Sequence, residues 1–164
     1  MKRLLKIIPE HLQATVLLRY FGFLKIPLLC FVRPSVIELT DKRVVVRIPL
    51  RRRTRNHLRS MYFGALAIGA DCAAGLLAMK LIRNSSKNVS LIFKSIEAEF
   101  LKRAESDVYF ICDQGREISE LVAAAITSME RVELPVKVIA KIPDKFGEEP
   151  VARFTLVLSL KKRA

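Results

Sequence analysis

One aspartate stands alone in the most apolar stretch of this sequence. Asp71 is the only ionised group between Ser60 and Lys80, and the segment around it, from about Met61 to Ile82, has the length and apolar content of a buried helix. A carboxylate in such surroundings loses hydration. That loss raises its pKa toward the range in which a general base works near neutral pH. Gly64 falls near the start of the same segment, where the first amides of a helix have no partner within it. Such N–H groups can hold the negative charge that develops on a carbonyl oxygen under attack, and a glycine lets a substrate come close. Asp71 as base or nucleophile, with the turn at Gly64 as the charge-holding element, would suit hydrolytic acyl transfer. The structural alternative is a buried carboxylate held by hydrogen bonds and a glycine that serves packing, since perturbed acids mark structural networks as well as active sites.

The segment carrying these residues is rich in small side chains, and Gly64, Gly69 and Gly75 all fall within it. A glycine costs a helix interior about 1 kcal/mol relative to alanine, so three of them require close approach by another element. A sheet wrapped around the helix supplies it, and Ser60 is placed to cap its start. Upstream, Val36 to Leu39 and Arg43 to Leu50 read as a hairpin turned at Thr40-Asp41-Lys42. Downstream, Val89 to Leu101, Asp107 to Cys112, Val132 to Ile142 and Val151 to Leu160 read as strands, with a helix from Glu117 to Met129. Glu105-Ser106 and Pro143 through Gly147 are turns, and consecutive strands joined in this way favour an antiparallel sheet. Lys94, between Phe93 and Ser95, either points into a lined cavity or marks a bulge that turns it outward. Near the N-terminus, Pro9 and Glu10 start a helix on which Leu12, Val16, Leu17 and Tyr20 recur at helical spacing; a buried helix followed by an extended segment is expected.

These elements make one α+β domain over residues 1–164, with an N-terminal helical extension over about 1–33. A curled sheet leaves a free edge, and pairing with a second copy is a common cover for it. The chain has 164 residues, about half of them apolar, and a formal net charge of +13. Such a field attracts anions: nucleic acid, acidic lipid headgroups or a phosphate-bearing ligand. It equally serves solubility. Arg51, Arg52, Arg53 and Arg55 form the densest cationic cluster, and Lys161-Lys162-Arg163 lies near the C-terminal end. Cys30, Cys72 and Cys112 have no metal-ligand or disulfide-framework spacing, which fits a reducing cytoplasm. Met1-Lys2-Arg3-Leu4-Leu5 imitates the start of a signal peptide, but Lys6, Pro9 and Glu10 cut the apolar run short, so export is not expected. Arg19, Lys25 and Pro27 likewise interrupt the run from Leu12 to Val32, which argues against a membrane span and leaves contact with a membrane surface open.

The run from Asn56 to Asp71 resembles the signature of small hotdog acyl-CoA thioesterases, in which an Asn and a His-Gly-Gly turn lead into the central helix and an acid follows. Asn56, Gly64 and Asp71 match the Asn, the second Gly and the acid, while Tyr62 and Phe63 stand where the His and first Gly would be. That departure resembles an uncharacterised branch of the superfamily. The resemblance, carried from about Pro34 to Leu160, implies a hotdog fold: a curled antiparallel sheet around a long central helix. It also implies hydrolysis of acyl-CoA thioesters without a metal or resident cofactor, in pockets between the subunits of a homodimer or tetramer. Asp71, Gly64 and Asn56 would then be catalytic, and Tyr62 and Phe63 would line the substrate. Phe100-Leu101-Lys102-Arg103-Ala104 resembles the strand-end segment near the nucleotide, where Lys102 and Arg103 would meet the phosphates of coenzyme A. Asn56 read by itself is a turn or cap residue, His57 a solvent-facing one, and Lys102-Arg103 a solvated strand end. A second function class is a non-catalytic hotdog dimer that binds acyl chains or acyl-CoA. A third, nucleic-acid binding, has charge in its favour but no helix-turn-helix, zinc-finger or aromatic RNP pattern, and is not expected.

Overall fold

The computed structural model describes residues 9–128 and 130–163; the signal-like Met1 to Lys6 and the expected helix end at Met129 lie outside them. Eleven elements follow in chain order: helices α1 (Glu10–Lys25) and α2 (Pro27–Val32), strands β1 (Ser35–Leu39) and β2 (Val44–Ile48), helix α3 (Phe63–Asn84), strands β3 (Val89–Phe100) and β4 (Val108–Cys112), helix α4 (Gly115–Thr127), strand β5 (Val132–Lys141), short helix α5 (Pro143–Phe146) and strand β6 (Pro150–Lys162). The six strands form one antiparallel sheet in the order β1-β2-β4-β5-β6-β3. This is the sheet-and-central-helix architecture expected, and β1 and β2 make the expected hairpin.

The small residues of α3 explain how helix and sheet meet. Ala70, Ala73, Ala74 and Ala78 are fully buried, and a Cβ at Gly69 would sit 2.6 Å from Cδ2 of Phe110 and nearer still to the ring's tip. Phe110, in the middle of β4, therefore reaches the helix axis because Gly69 has no side chain. α3 is long and apolar enough to cross a bilayer, and it is the core helix, most of it covered by the rest of the chain. α4 buries Ile118, Leu121, Val122 and Ala125. It starts against the β1–β2 turn, where a Cβ on Gly115 would lie 2.6 Å from Cα of Lys42.

Three local expectations are corrected. The first concerns α1, which forms where expected but does not bury Leu12, Val16, Leu17 and Tyr20; all four are exposed. Thr15, Leu18 and Gly22 face inward instead, and the Thr15 hydroxyl accepts the Val36 N–H at 2.8 Å. Apolar residues occur on most sides of this helix, but it packs chiefly against β1 and α2 and so buries one side. The second concerns the residues after α1, which turn into α2 rather than running extended. Pro27 sits in its first turn, Gly22 allows the close approach of Cys30, and Arg33 ends it in the left-handed region at φ 52°. The third concerns Pro143 to Phe146, expected as part of a turn: they coil into α5, and Gly147 completes the reversal at φ +57°.

Lys94 is resolved in favour of the bulge. The β3–β6 register shifts between Phe93 and Ser95, which turns Lys94 outward to Glu133, 2.9 Å away.

Candidate functional site

The turn that leads into α3 is built around Asn56. Its Oδ1 accepts the N–H groups of Leu58 (2.9 Å) and Ser60 (3.2 Å) and the Ser60 hydroxyl, and its own N–H donates to the Ser60 carbonyl. The loop closes with Arg59 at φ 63°. Thus Asn56 shapes the turn, and the Ser60 hydroxyl, expected to cap the helix, is engaged with Asn56. The capping position belongs to Tyr62, in extended conformation, so the helix begins at Phe63, two residues later than expected. The Tyr62 N–H donates to the Thr54 carbonyl, and the amides of Ala65 and Leu66 reach back to the Tyr62 carbonyl. Those of Phe63 and Gly64 have no acceptor among the described residues. Two N–H groups are thereby left free at the positive end of a long helix dipole.

Phe63 lines a cavity of about 550 Å³; Gly64 does not, and the Tyr62 ring stands 2.6 Å from where a Cβ on Gly64 would be, so the space this glycine was expected to leave for a substrate is taken by that ring. One wall is the turn and helix start, with Asn56, Tyr62 and Phe63; the other is the end of β3 and the segment after it, with Phe100, Lys102 and Arg103. Two long-range hydrogen bonds join the walls. The Met61 N–H donates to the Ala104 carbonyl at 2.7 Å, and the Arg103 guanidinium donates to the Leu58 carbonyl at 2.7 Å. The rings of Tyr62 and Phe63 lie 4.6 Å apart, and both are exposed. Lys102 pairs with Glu149 and stands 4.8 Å from the centre of the Phe146 ring; Arg103 lies 3.4 Å from Glu105. Any anion entering here competes with these two carboxylates. Met61 and Leu66 also line the cavity, as residues that sequence reasoning missed: each reads there as an ordinary core position.

Asp71 is not among the residues lining that cavity. Seven residues beyond Gly64 it returns to almost the same face of α3, about 10.5 Å along the axis. The side chain is half-buried and has no hydrogen bond or ion pair among the described residues. Burial pushes its carboxyl above the ordinary aspartate value. One turn further on, Gly75 faces the Phe93 ring at 3.7 Å, so this side of the helix looks toward β3, the last strand of the sheet. The neighbouring Cys72 thiol is pushed up by burial first and by the Asp71 charge second.

From Lys94 to Phe100, seven consecutive residues of β3 are exposed, with Ile96 and Phe100 each about half accessible. In one chain, then, both faces and one edge of this strand are open beside the Asp71 side of α3. The Arg51 to Arg55 cluster does not share the cavity as a group: Arg51, Arg52 and Arg53 line a separate groove of about 860 Å³ with Arg19, Arg33 and Arg47.

Comparison with known proteins places this architecture. No curated protein matches the chain in sequence. Among solved structures, a protein from Shewanella oneidensis proposed to be a thioesterase superposes with a TM-score of 0.76, at 13% identity, over 91% of this chain and 98% of its own. A Pseudomonas aeruginosa protein of unknown function, also suggested to be a thioesterase, gives a TM-score of 0.75 at 23% identity, over 91% of this chain and 96% of its own. A thioesterase from Haemophilus influenzae gives 0.63 at 11% identity, over 82% of each chain. At such identities the likeness shows the fold, and the fold is the hotdog. A family model matches residues 15–159, and the chain therefore belongs to the family described as domain of unknown function DUF4442.

Proposed function

We propose that this chain is a thioester hydrolase acting on acyl-CoA, and that it works as a homodimer in the cytoplasm. The observation that carries the reading is the start of α3, where the amides of Phe63 and Gly64 have no acceptor among the described residues and Phe63 lines a cavity, on the same helix as a half-buried carboxylate that has no partner among them. In this mechanism Asp71, about 10.5 Å along α3 from the amides of its own chain, works across the dimer: it takes a proton from water beside the partner subunit's helix start, the hydroxide oxygen bonds to the thioester carbon, and the carbonyl oxygen becomes an anion held by the free N–H groups there. Collapse of that intermediate breaks the carbon–sulfur bond, and the coenzyme A thiolate leaves and is protonated. Lys102 and Arg103, at the outer wall, suit the phosphates of the leaving half.

The open strand β3 supports the dimer. Pairing of two such edges would cover Ile96 and Phe100 and close the solvent-facing side of α3 near Asp71, so that each site is lined by both subunits. The neighbours' names are consistent with thioester substrates, at identities that transfer no activity by themselves. A second reading, binding of acyl chains without turnover, has one observation in its favour: the exposed Tyr62–Phe63 ring pair stands in the cavity wall.

The test is a panel of acyl-CoA thioesters with wild type and Asp71→Asn, on protein whose mass in solution is measured by light scattering. The expectation is a dimer in which the variant still binds but turns over at least about 100-fold more slowly, the scale of losing a general base. Undiminished turnover in a folded, dimeric variant would remove Asp71 from the mechanism. Binding without turnover in the wild type would select the second reading.

A further inference from the structure

We infer that the outer face of α1 and α2, together with the arginine groove beside it, is a docking surface for an anionic lipid bilayer. The inference is independent of the proposed hydrolysis and uses none of its residues.

The helix α1 is seated on β1 at Thr15 and against α2 at Gly22, with Leu18 also buried, and its opposite side is apolar where a water-facing helix would be polar. Val16 is 68% exposed, Tyr20 61% and Phe23 70%, with Leu17 and Leu24 each above half. α2 continues the patch with Leu28 and Phe31, both also more than half exposed. Scattered apolar residues on a surface are ordinary, but a contiguous patch marks an interaction site.

What borders the patch identifies its partner. Arg19 lies one helical turn from both Val16 and Phe23, and the Arg53 guanidinium sits over the Phe31 ring, 5.5 Å from its centre. With Arg33, Arg47, Arg51 and Arg52 these line the groove of about 860 Å³. Among the described residues only one of the six makes an ion pair, Arg47 with Asp107 at 3.8 Å, and Arg47 Nε is buried without a hydrogen-bond partner. Among the described residues the other five make no ion pair; Arg19 donates to the Pro34 carbonyl and the Ser35 hydroxyl, and Arg53 to the Phe31 carbonyl, all neutral acceptors. A strip of aliphatic and aromatic side chains flanked by uncompensated guanidinium groups matches the acyl–headgroup boundary of an anionic leaflet, where apolar burial and charge attraction act together. Nucleic acid would satisfy the arginines but leave Val16, Leu17 and Leu24 in water. A second copy of the same face would cover the apolar strip but bring like charges together.

Co-sedimentation of the full chain with vesicles tests this. Wild type is expected to bind vesicles of phosphatidylcholine and phosphatidylglycerol and to remain free with phosphatidylcholine alone. Val16→Asp/Phe23→Asp changes two exposed side chains, so the fold, checked by circular dichroism, is retained. Its affinity should drop roughly tenfold or more for each apolar group lost. Arg51→Ala/Arg52→Ala should lose about fivefold per arginine, the worth of one basic residue near a charged leaflet. Failure of wild type to bind the anionic vesicles, equal binding to both vesicle types, or unchanged binding by the Val16/Phe23 variant would each overturn the inference. So would a change of oligomeric state in that variant, which would assign the face to a second copy, or a preference of the arginine groove for an oligonucleotide over the anionic vesicles.

Discussion

One substitution made at two places in α3 should have opposite effects on stability. Replacing a helical glycine by alanine gains about 1 kcal/mol from propensity, and Gly75 and Gly69 differ only in what the new methyl group meets. At Gly75 it meets the Phe93 ring at 3.7 Å and 3.9 Å, an ordinary contact, so Gly75→Ala should stabilise by about 1 kcal/mol. At Gly69 it lies 2.6 Å from Phe110 Cδ2, with two other ring atoms closer, whereas carbon atoms rest about 3.5–4.0 Å apart. The ring must move by about 1 Å or more to restore that distance. It is fully buried, held on a strand between two others, and packed against Phe154 at 6.3 Å between ring centres. Overpacking a filled core costs about 1–3 kcal/mol, and the depth of this overlap argues for the upper end. Subtracting the propensity gain leaves Gly69→Ala about 2 kcal/mol less stable than wild type. Urea titration reads both effects: with a slope of about 2 kcal/mol per molar, the midpoint should rise by about 0.5 M for Gly75→Ala and fall by about 1 M for Gly69→Ala. If Gly69→Ala proved as stable as wild type, the claim that Phe110 fills the space above this glycine would be refuted.

Two further outcomes concern the site. Because burial raises the Asp71 carboxyl above its unfolded value of 3.8, the native state holds the proton longer than the unfolded chain. Its contribution to stability is therefore fully present below 3.8 and is lost as pH rises through the raised value. Urea midpoints of wild type should fall relative to those of Asp71→Asn between pH 3.8 and neutrality; parallel profiles would mean that the carboxyl is solvated in the assembled protein. At the outer wall, acyl-CoA affinity should weaken as salt rises, and Glu149→Gln should strengthen it by up to about fivefold by freeing Lys102 from an exposed ion pair. Titrations by calorimetry at low and high salt check both, and equal affinity throughout would return Lys102 and Arg103 to a solvated strand end.

What the sequence conveyed divides along a physical line. Spacing within one element is legible locally, so Asp71 reads as the one ionised residue of a long apolar helix that starts near Gly64, and the three glycines announce a close neighbour. It does not show which face another element will cover. Leu12, Val16, Leu17 and Tyr20 do share a side of α1, yet Thr15 on the other side bonds to Val36 and sets that side against the sheet. The orientation of Lys94 is not encoded locally for a similar reason: whether it bulges is a matter of register against β6, whose partner residues lie some sixty positions away. The start of α3 shifted because the Ser60 hydroxyl, free to cap in a local reading, is engaged by Asn56, while Met61 is tied to Ala104 across the chain. The cavity itself depends on that tie. Its walls are the turn at Asn56 to Phe63 and the segment from Phe100 to Ala104; the first is shaped by bonds between near neighbours and legible in part, the second becomes a wall only through hydrogen bonds that no local pattern encodes. The lone carboxylate and the existence of a free sheet edge are legible in the sequence, whereas the cavity, and the fact that β3 is the open strand beside Asp71, depend on tertiary contacts. Hence Asp71→Asn tests the reaction, while the state of β3 in solution tests whether the reaction has an enclosed place to occur.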